Sequence, residues 1–155
     1  MRVEFTVLGR PPKKHGEKSM WARRDEAPFV ASLRKEAFEA RLKTGLTNPF
    51  HSWVALELQV FVPETQLESI GDLDSFIAGV CDSLQAADSK VLPYLHETLR
   101  KLKEEAHPKY AFLIANDAKV VSIIAQKVAL KKNQRVYYKI TIEPLYEDIV
   151  KASIS

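Results

Sequence analysis

The stretch SWVALELQVFV, residues 52–62, decides the fold. Val54, Leu56, Leu58, Val60 and Val62 occupy every second position, with Ala55, Glu57, Gln59 and Phe61 between them. A period of two marks a strand, because successive side chains on an extended backbone point to opposite sides. Pro63 ends it, since proline has no N–H to give a sheet ladder. Upstream, Arg2 to Leu8 alternates in the same way through Val3, Phe5 and Val7. Downstream, residues 119–130 and 135–143 are expected to form two more strands joined by Lys131 to Gln134. In the last of these Val136, Tyr138, Ile140 and Ile142 share a face.

Between these segments the period lengthens. Pro28 suits a first helical turn, and Val30, Leu33, Ala37 and Ala40 follow at spacings of three and four, which predicts a helix to about Lys43. A second helix is expected from Asp74 or Ser75, both good N-caps, to about Ala86 with Ile77, Val80 and Leu84 inward. A shorter one is expected between Pro93 and Pro108, where Leu95, Leu99, Leu102 and Ala106 are spaced four, three and four. Gly9 to Arg24 carries Pro11, Pro12 and Gly16 and reads as a loop. The order strand, helix, strand, helix, helix, strand, strand predicts one mixed β-sheet with helices packed on it, the α+β class. A single domain is expected over residues 1–147, followed by a tail at 148–155.

Composition narrows the function. The 155 residues are 46% hydrophobic and 28% charged, an ordinary globular mixture of one-domain length without repeats. The apolar runs are far shorter than the roughly 18 residues of a membrane span. MRVEFTVLGR has no apolar signal core, so a cytoplasmic protein with no membrane partner is expected. Cys81 is the one cysteine, which excludes an intramolecular disulfide and a cysteine-rich zinc site.

The charges are nearly balanced, 23 basic against 20 acidic, but they are segregated. Residues 10–24 hold Arg10, Lys13, Lys14, Lys18, Arg23 and Arg24 against Glu17. Residues 64–88 hold Glu64, Glu68, Asp72, Asp74, Asp82 and Asp88 with no cation, and residues 127–139 hold Lys127, Lys131, Lys132, Arg135 and Lys139 with no acid. Solvated surface accounts for such blocks; so does a metal site inside a phosphate-binding surface.

Asp72 and Asp74 sit in IGDLDSF, and Asp117 in IANDAKVV. On an extended backbone residues two apart face the same side, so Asp72 and Asp74 would converge on one cation, with Asp117 as a third ligand. Hard carboxylate oxygens suit Mg²⁺ or Mn²⁺, which keep several waters and bind phosphate oxygens. The bland alternative is a helix cap at Asp74, a solvated turn at Asp72 and a turn at Asn116–Asp117. An EF-hand fails because Phe76 stands at the fifth loop position. Asp82 lies about 12 Å beyond Asp74 on an ideal helix, too far for one shared ion, so a supporting or solvated role is expected. His15, His51, His96 and His107 have no ligand-like spacing, and no P-loop, GxSxG or HExxH motif occurs. The tyrosines and Trp53 read as packing residues; Trp21, inside the basic loop, stays open as a stacking platform.

Taken in order, the pieces resemble a known family, the RusA-type Holliday-junction resolvases. The resemblance runs through GRPP (9–12) and its cation-rich loop, GDLDSFIAGVCDSL (71–84), NDAKVVSIIAQKV (116–128) and RVYYKITIEPL (135–145). It implies a RusA-like fold, a homodimer and a Mg²⁺-dependent endonuclease, with Mn²⁺ as a substitute. Such an enzyme resolves four-way DNA in recombination and repair by paired symmetric nicks that leave 5′-phosphates. It further implies that Asp72, Asp74 and Asp117 are the essential metal-binding acids, that Asp82 and Lys127 support them, and that the protein works at the nucleoid without a small-molecule cofactor. The loop cations Arg10, Lys13, Lys14, Lys18, Arg23 and Arg24 would grip the phosphate backbone. Three positions depart from the family pattern: Ser75 replaces an asparagine, Ala78 a lysine important for cleavage, and Asn116 the first of two acids. Residues 87–111 are an insertion relative to compact members. A branched-DNA binder with an impaired or inactive centre is the alternative that Ala78 and Ser75 motivate. A metal-dependent sugar-nucleotide transferase using Asp-x-Asp is a third, opposed by the short chain.

Overall fold

The computed structural model describes residues 2–14, 20–46, 50–102, 106–109, 113–114, 116–131 and 133–145. Lys18, His15 and the tail 148–155 lie outside the described residues. The chain is α+β: β1 (Val3–Leu8), α1 (Ala27–Thr44), β2 (Val54–Pro63), α2 (Leu73–Ser83), α3 (Glu97–Arg100), β3 (Val120–Leu130) and β4 (Tyr137–Pro144). The four strands form one mixed sheet in the order β1-β4-β2-β3. β4 is antiparallel to both β1 and β2, whereas β3 runs parallel to β2. Although β3 and β4 are consecutive, β2 separates them in the sheet. Two parallel strands need a crossover, and α2 with the segment after it supplies that connection.

Register explains how the sheet builds both core and site. Three rows cross its helix-covered face: Val3–Ile142–Leu56–Ile123, Phe5–Ile140–Leu58–Ala125 and Val7–Tyr138–Val60–Lys127. In each row the residues from β1, β4 and β2 are buried. The β3 residues are not: Ile123 is exposed, and Ala125 and Lys127 are half-buried. The edge strand thus carries the apolar pattern out of the core and alongside α2.

α1 buries Val30, Leu33, Ala37 and Ala40, as its spacing predicts, and packs across β1. It also buries Arg34 completely. The guanidinium donates to the carbonyls of Ala106 (2.7 Å), Ser83 (2.6 Å), Gln85 (3.0 Å) and His107 (2.9 Å). Burial pushes this arginine down from 12.5 to about 9. Two of those carbonyls belong to the C-terminal end of α2, where backbone acceptors lack helical donors. The arginine therefore ends α2 near Ser83, short of the expected Ala86, and ties in the crossover segment.

The expected helix between Pro93 and Pro108 is mostly absent among the described residues. A turn of 3₁₀-helix at Leu92–Tyr94 precedes the short α3, whose first turn is capped when His96 Nδ1 accepts the Thr98 N–H. Leu95, Leu99, Leu102 and Ala106 are nevertheless all buried. Spacing correctly marked the inward side chains. Arg34 takes the carbonyls of Ala106 and His107 and so holds the end of this segment against α1. Among the described residues no helix is long and apolar enough to cross a membrane.

Candidate functional site

α2 lies along β3. At one end the Asp117 amide donates to Gln85 Oε1 (3.1 Å); at the other, Lys127 Nζ donates to the Leu67 carbonyl just before the helix (2.6 Å). Between these fastenings is a cavity of about 320 Å³, lined by Asp74, Ile77, Ala78, Cys81, Asp117, Val120 and Ile123. The four α2 residues follow the spacing of a single helix face. Opposite them, Asp117 opens a short 3₁₀ turn, and Asn116 accepts the Ala118 N–H at 2.9 Å. Asn116 therefore caps that turn and leaves the Asp117 carboxylate for other work. Neither Asp74 nor Asp117 makes a side-chain hydrogen bond or ion pair among the described residues, and both are exposed. Cys81, buried between them, has its thiol pushed up to about 12 by burial first and then by Asp117 and Asp82. It is a neutral wall of the cavity at physiological pH.

Asp72 is placed differently. Its own backbone is extended (φ −86°, ψ 144°), but α2 begins at the next residue. The two-residue rule that would align Asp72 with Asp74 needs an extended backbone at both, and the helix start removes it. Asp72 does not line the cavity, and among the described residues no group of three ligating side chains is positioned to hold a metal. The N-cap is Asp72, not Asp74 or Ser75, and its side chain makes no capping bond. The expected cap at Asp74 is thus not formed, whereas an exposed Asp72 ahead of the helix and a turn at Asn116–Asp117 are as the bland alternative has them.

The basic loop is clamped onto the opposite flank of α2. Glu26, nearly inaccessible, receives Arg10 through two hydrogen bonds (3.0 and 2.8 Å) and the Lys13 amide at 2.7 Å. The Lys14 amide donates to the Ser75 carbonyl (3.1 Å), and Lys14 Nζ pairs with Asp82 at 2.7 Å. Gly79 makes this approach possible: a Cβ there would run into the Pro12 carbonyl oxygen. Arg10, grouped with the phosphate-gripping cations by sequence, is held by Glu26 and stacks over the Phe29 ring at 3.7 Å. Arg23 pairs with Asp25 at 2.9 Å, and Arg24 is exposed. Among the described loop cations, the Lys13 side chain reaches the helix start, beside Asp72 and Lys127; burial above all lowers its pKa, with Arg10 contributing. Trp21 is buried, 5.7 Å below the Arg34 guanidinium, and walls a second cavity of about 330 Å³ with Lys14, Asp82 and Gln85.

Glu26 links this loop to pH. Burial by itself would raise its pKa, but the Arg10 and Lys13 hydrogen bonds and the Arg10 charge outweigh it and bring it below 4.5. A carboxylate whose folded pKa is depressed contributes stability above its unfolded value, lost as pH falls through the folded one. Glu26→Gln is therefore expected to melt lower than the wild type at pH 7. The two melting curves should converge as pH falls below about 4.5. A constant gap between pH 7 and pH 3 would show that Glu26 ionisation does not hold the loop.

Sequence alone did not single out Glu26, Arg34 or Gln85. Arg34 had one readable signal, a charge on the apolar face of α1 between Val30 and Ala37. Comparison with protein-family models finds no match, and comparison with curated proteins finds none either.

Proposed function

We propose that this protein is a metal-dependent, structure-selective endonuclease that cuts four-way DNA junctions, of the RusA type its motifs resemble. The observation that carries this reading is the pair Asp74 and Asp117, distant in the chain, lining one cavity with neither carboxylate spent on a hydrogen bond or ion pair among the described residues. That donor set fits Mg²⁺ or Mn²⁺, ions usually held by one or two carboxylates with waters and substrate phosphate completing the shell. When bound, the ion would activate water and neutralise charge on the scissile phosphate. Asp74 and Asp117 are the proposed ligands, and Asp72 is left out of the set because it does not line the cavity. Lys14 orients Asp82, and the loop cations counter the DNA charge, so binding weakens steeply with salt. Two subunits acting together suit a substrate with two-fold character. β3 is an edge strand, and Val121 and Ile124, which do not line the cavity, are exposed at 45 and 60%, which supports such pairing.

The test is incubation of the purified protein with an end-labelled synthetic four-way junction, with and without divalent metal. Symmetric nicks that require Mg²⁺ or Mn²⁺ are the expected result. One observation favours a second reading: Ala78 lines the cavity where the resembled family has a lysine. A junction that is shifted in a gel but never nicked, across titrations of both metals, would establish a non-catalytic binder.

A further inference from the structure

Among the described residues the cavity between α2 and β3 is lined by two carboxylates and no cation. A divalent ion there would balance the two carboxylates but leave the single charge of a phosphodiester uncompensated, and a protein cation at the rim would balance it. The described cations of the flanking segments are mostly committed: Arg10 to Glu26, Lys14 to Asp82, Arg23 to Asp25 and Lys127 to the Leu67 carbonyl. Arg24, Lys119 and Lys13 are the exceptions; Arg24 is exposed, Lys119 shares the short turn of Asp117, and Lys13 is the one whose backbone is fastened against α2. Its ammonium makes no hydrogen bond or ion pair among the described residues, and it lies 5.8 Å from the centre of the Phe76 ring.

Its place is held from two directions. The Lys13 amide donates to Glu26, and the neighbouring Lys14 amide to Ser75, so the backbone is fixed against α2. The side chain then runs across Gly71, where an added Cβ would sit 2.9 Å from Nζ. Gly71 has φ +139°, a conformation that glycine adopts without strain. The path open to the lysine thus leads to the start of α2, next to Asp72. A fixed stem whose ammonium has no hydrogen bond or ion pair among the described residues needs little reorganisation to meet an anion.

We propose that Lys13 is a catalytic residue, the cation that holds the scissile phosphate at the N-terminal end of the carboxylate cavity. This rests on the nuclease reading and goes further, because it separates Lys13 from the loop lysines that only follow the DNA backbone. Those set affinity, whereas a contact that strengthens as charge develops on the phosphate sets rate.

The test compares wild type, Lys13→Gln, Lys13→Arg, Lys119→Ala and Asp117→Asn on a four-way junction. Single-turnover cleavage in Mg²⁺, junction affinity in Ca²⁺ and melting midpoint are measured for each. Lys13→Gln is expected to slow cleavage about 100-fold while weakening affinity less than about fivefold and moving the midpoint little. Lys13→Arg should keep at least about a tenth of the rate, and Lys119→Ala should stay near wild type. Cleavage by Lys13→Gln within threefold of wild type, with Asp117→Asn inactive, would overturn the role of Lys13 and leave the nuclease reading standing. A loss that appears wholly in affinity, or with a collapse of the midpoint, would overturn it too. Wild-type protein that never cleaves overturns both.

Discussion

Asp117→Asn is expected to slow junction cleavage by about 10³-fold or more while leaving junction affinity within about threefold. Asparagine keeps the shape of the side chain and removes its charge, so the loss falls on metal binding. The fold has little reason to respond. Asp117 is exposed, its amide still reaches Gln85, and the turn around it is capped by Asn116. Asp74→Asn should behave alike, since it lines the same cavity from α2. The double variant should be scarcely slower than either single one, because two ligands of one ion act as a unit. Activity within tenfold of wild type in Asp117→Asn would remove this cavity from the mechanism. Elevated Mn²⁺ is expected to restore part of the single-variant rate, since a weakened site is refilled by mass action.

Arg34→Met is expected to cost about 3–5 kcal/mol of stability. Methionine fills much of the volume but donates nothing, and it leaves the carbonyls of Ser83, Gln85, Ala106 and His107 without their partner. Each buried acceptor so stranded costs about 1–3 kcal/mol. The sum is reduced because the wild type also bears the burial of a charge, visible in the guanidinium's drop to about 9. For a chain of this size the change corresponds to a fall of roughly 6–20 °C in melting midpoint. Arg34→Lys should recover only part of it, since one ammonium cannot span carbonyls that a planar fork reaches. Amide exchange should accelerate first around residues 97–107, where Arg34 holds the crossover segment to α1. A midpoint lowered by less than about 2 °C would show that these carbonyls find other donors.

The two variants act on different consequences of one construction. Arg34 fixes the end of α2 from the core side, and Gln85, one of its carbonyl partners, receives the Asp117 amide. Loosening Arg34 is therefore expected to disturb cleavage as well as stability, whereas Asp117→Asn should alter cleavage alone.

What the sequence determined by itself was the sidedness of each segment. Period two in residues 52–62 and period 3.6 in residues 28–43 mark which side chains turn inward, because apolar burial acts residue by residue along a regular backbone. It held even where the expected helix did not: Leu95, Leu99, Leu102 and Ala106 are buried in a segment whose described residues include one short α-helix. Tertiary structure alone decided which charges meet. Arg10 with Glu26, Lys14 with Asp82, and Asp74 facing Asp117 across a cavity all join segments distant in the chain. Local pattern carries no record of such meetings, since a side chain's partner depends on how whole elements pack. Asp72 and Asp74 make the same point at close range: the helix starting between them turned two neighbouring carboxylates to different surroundings.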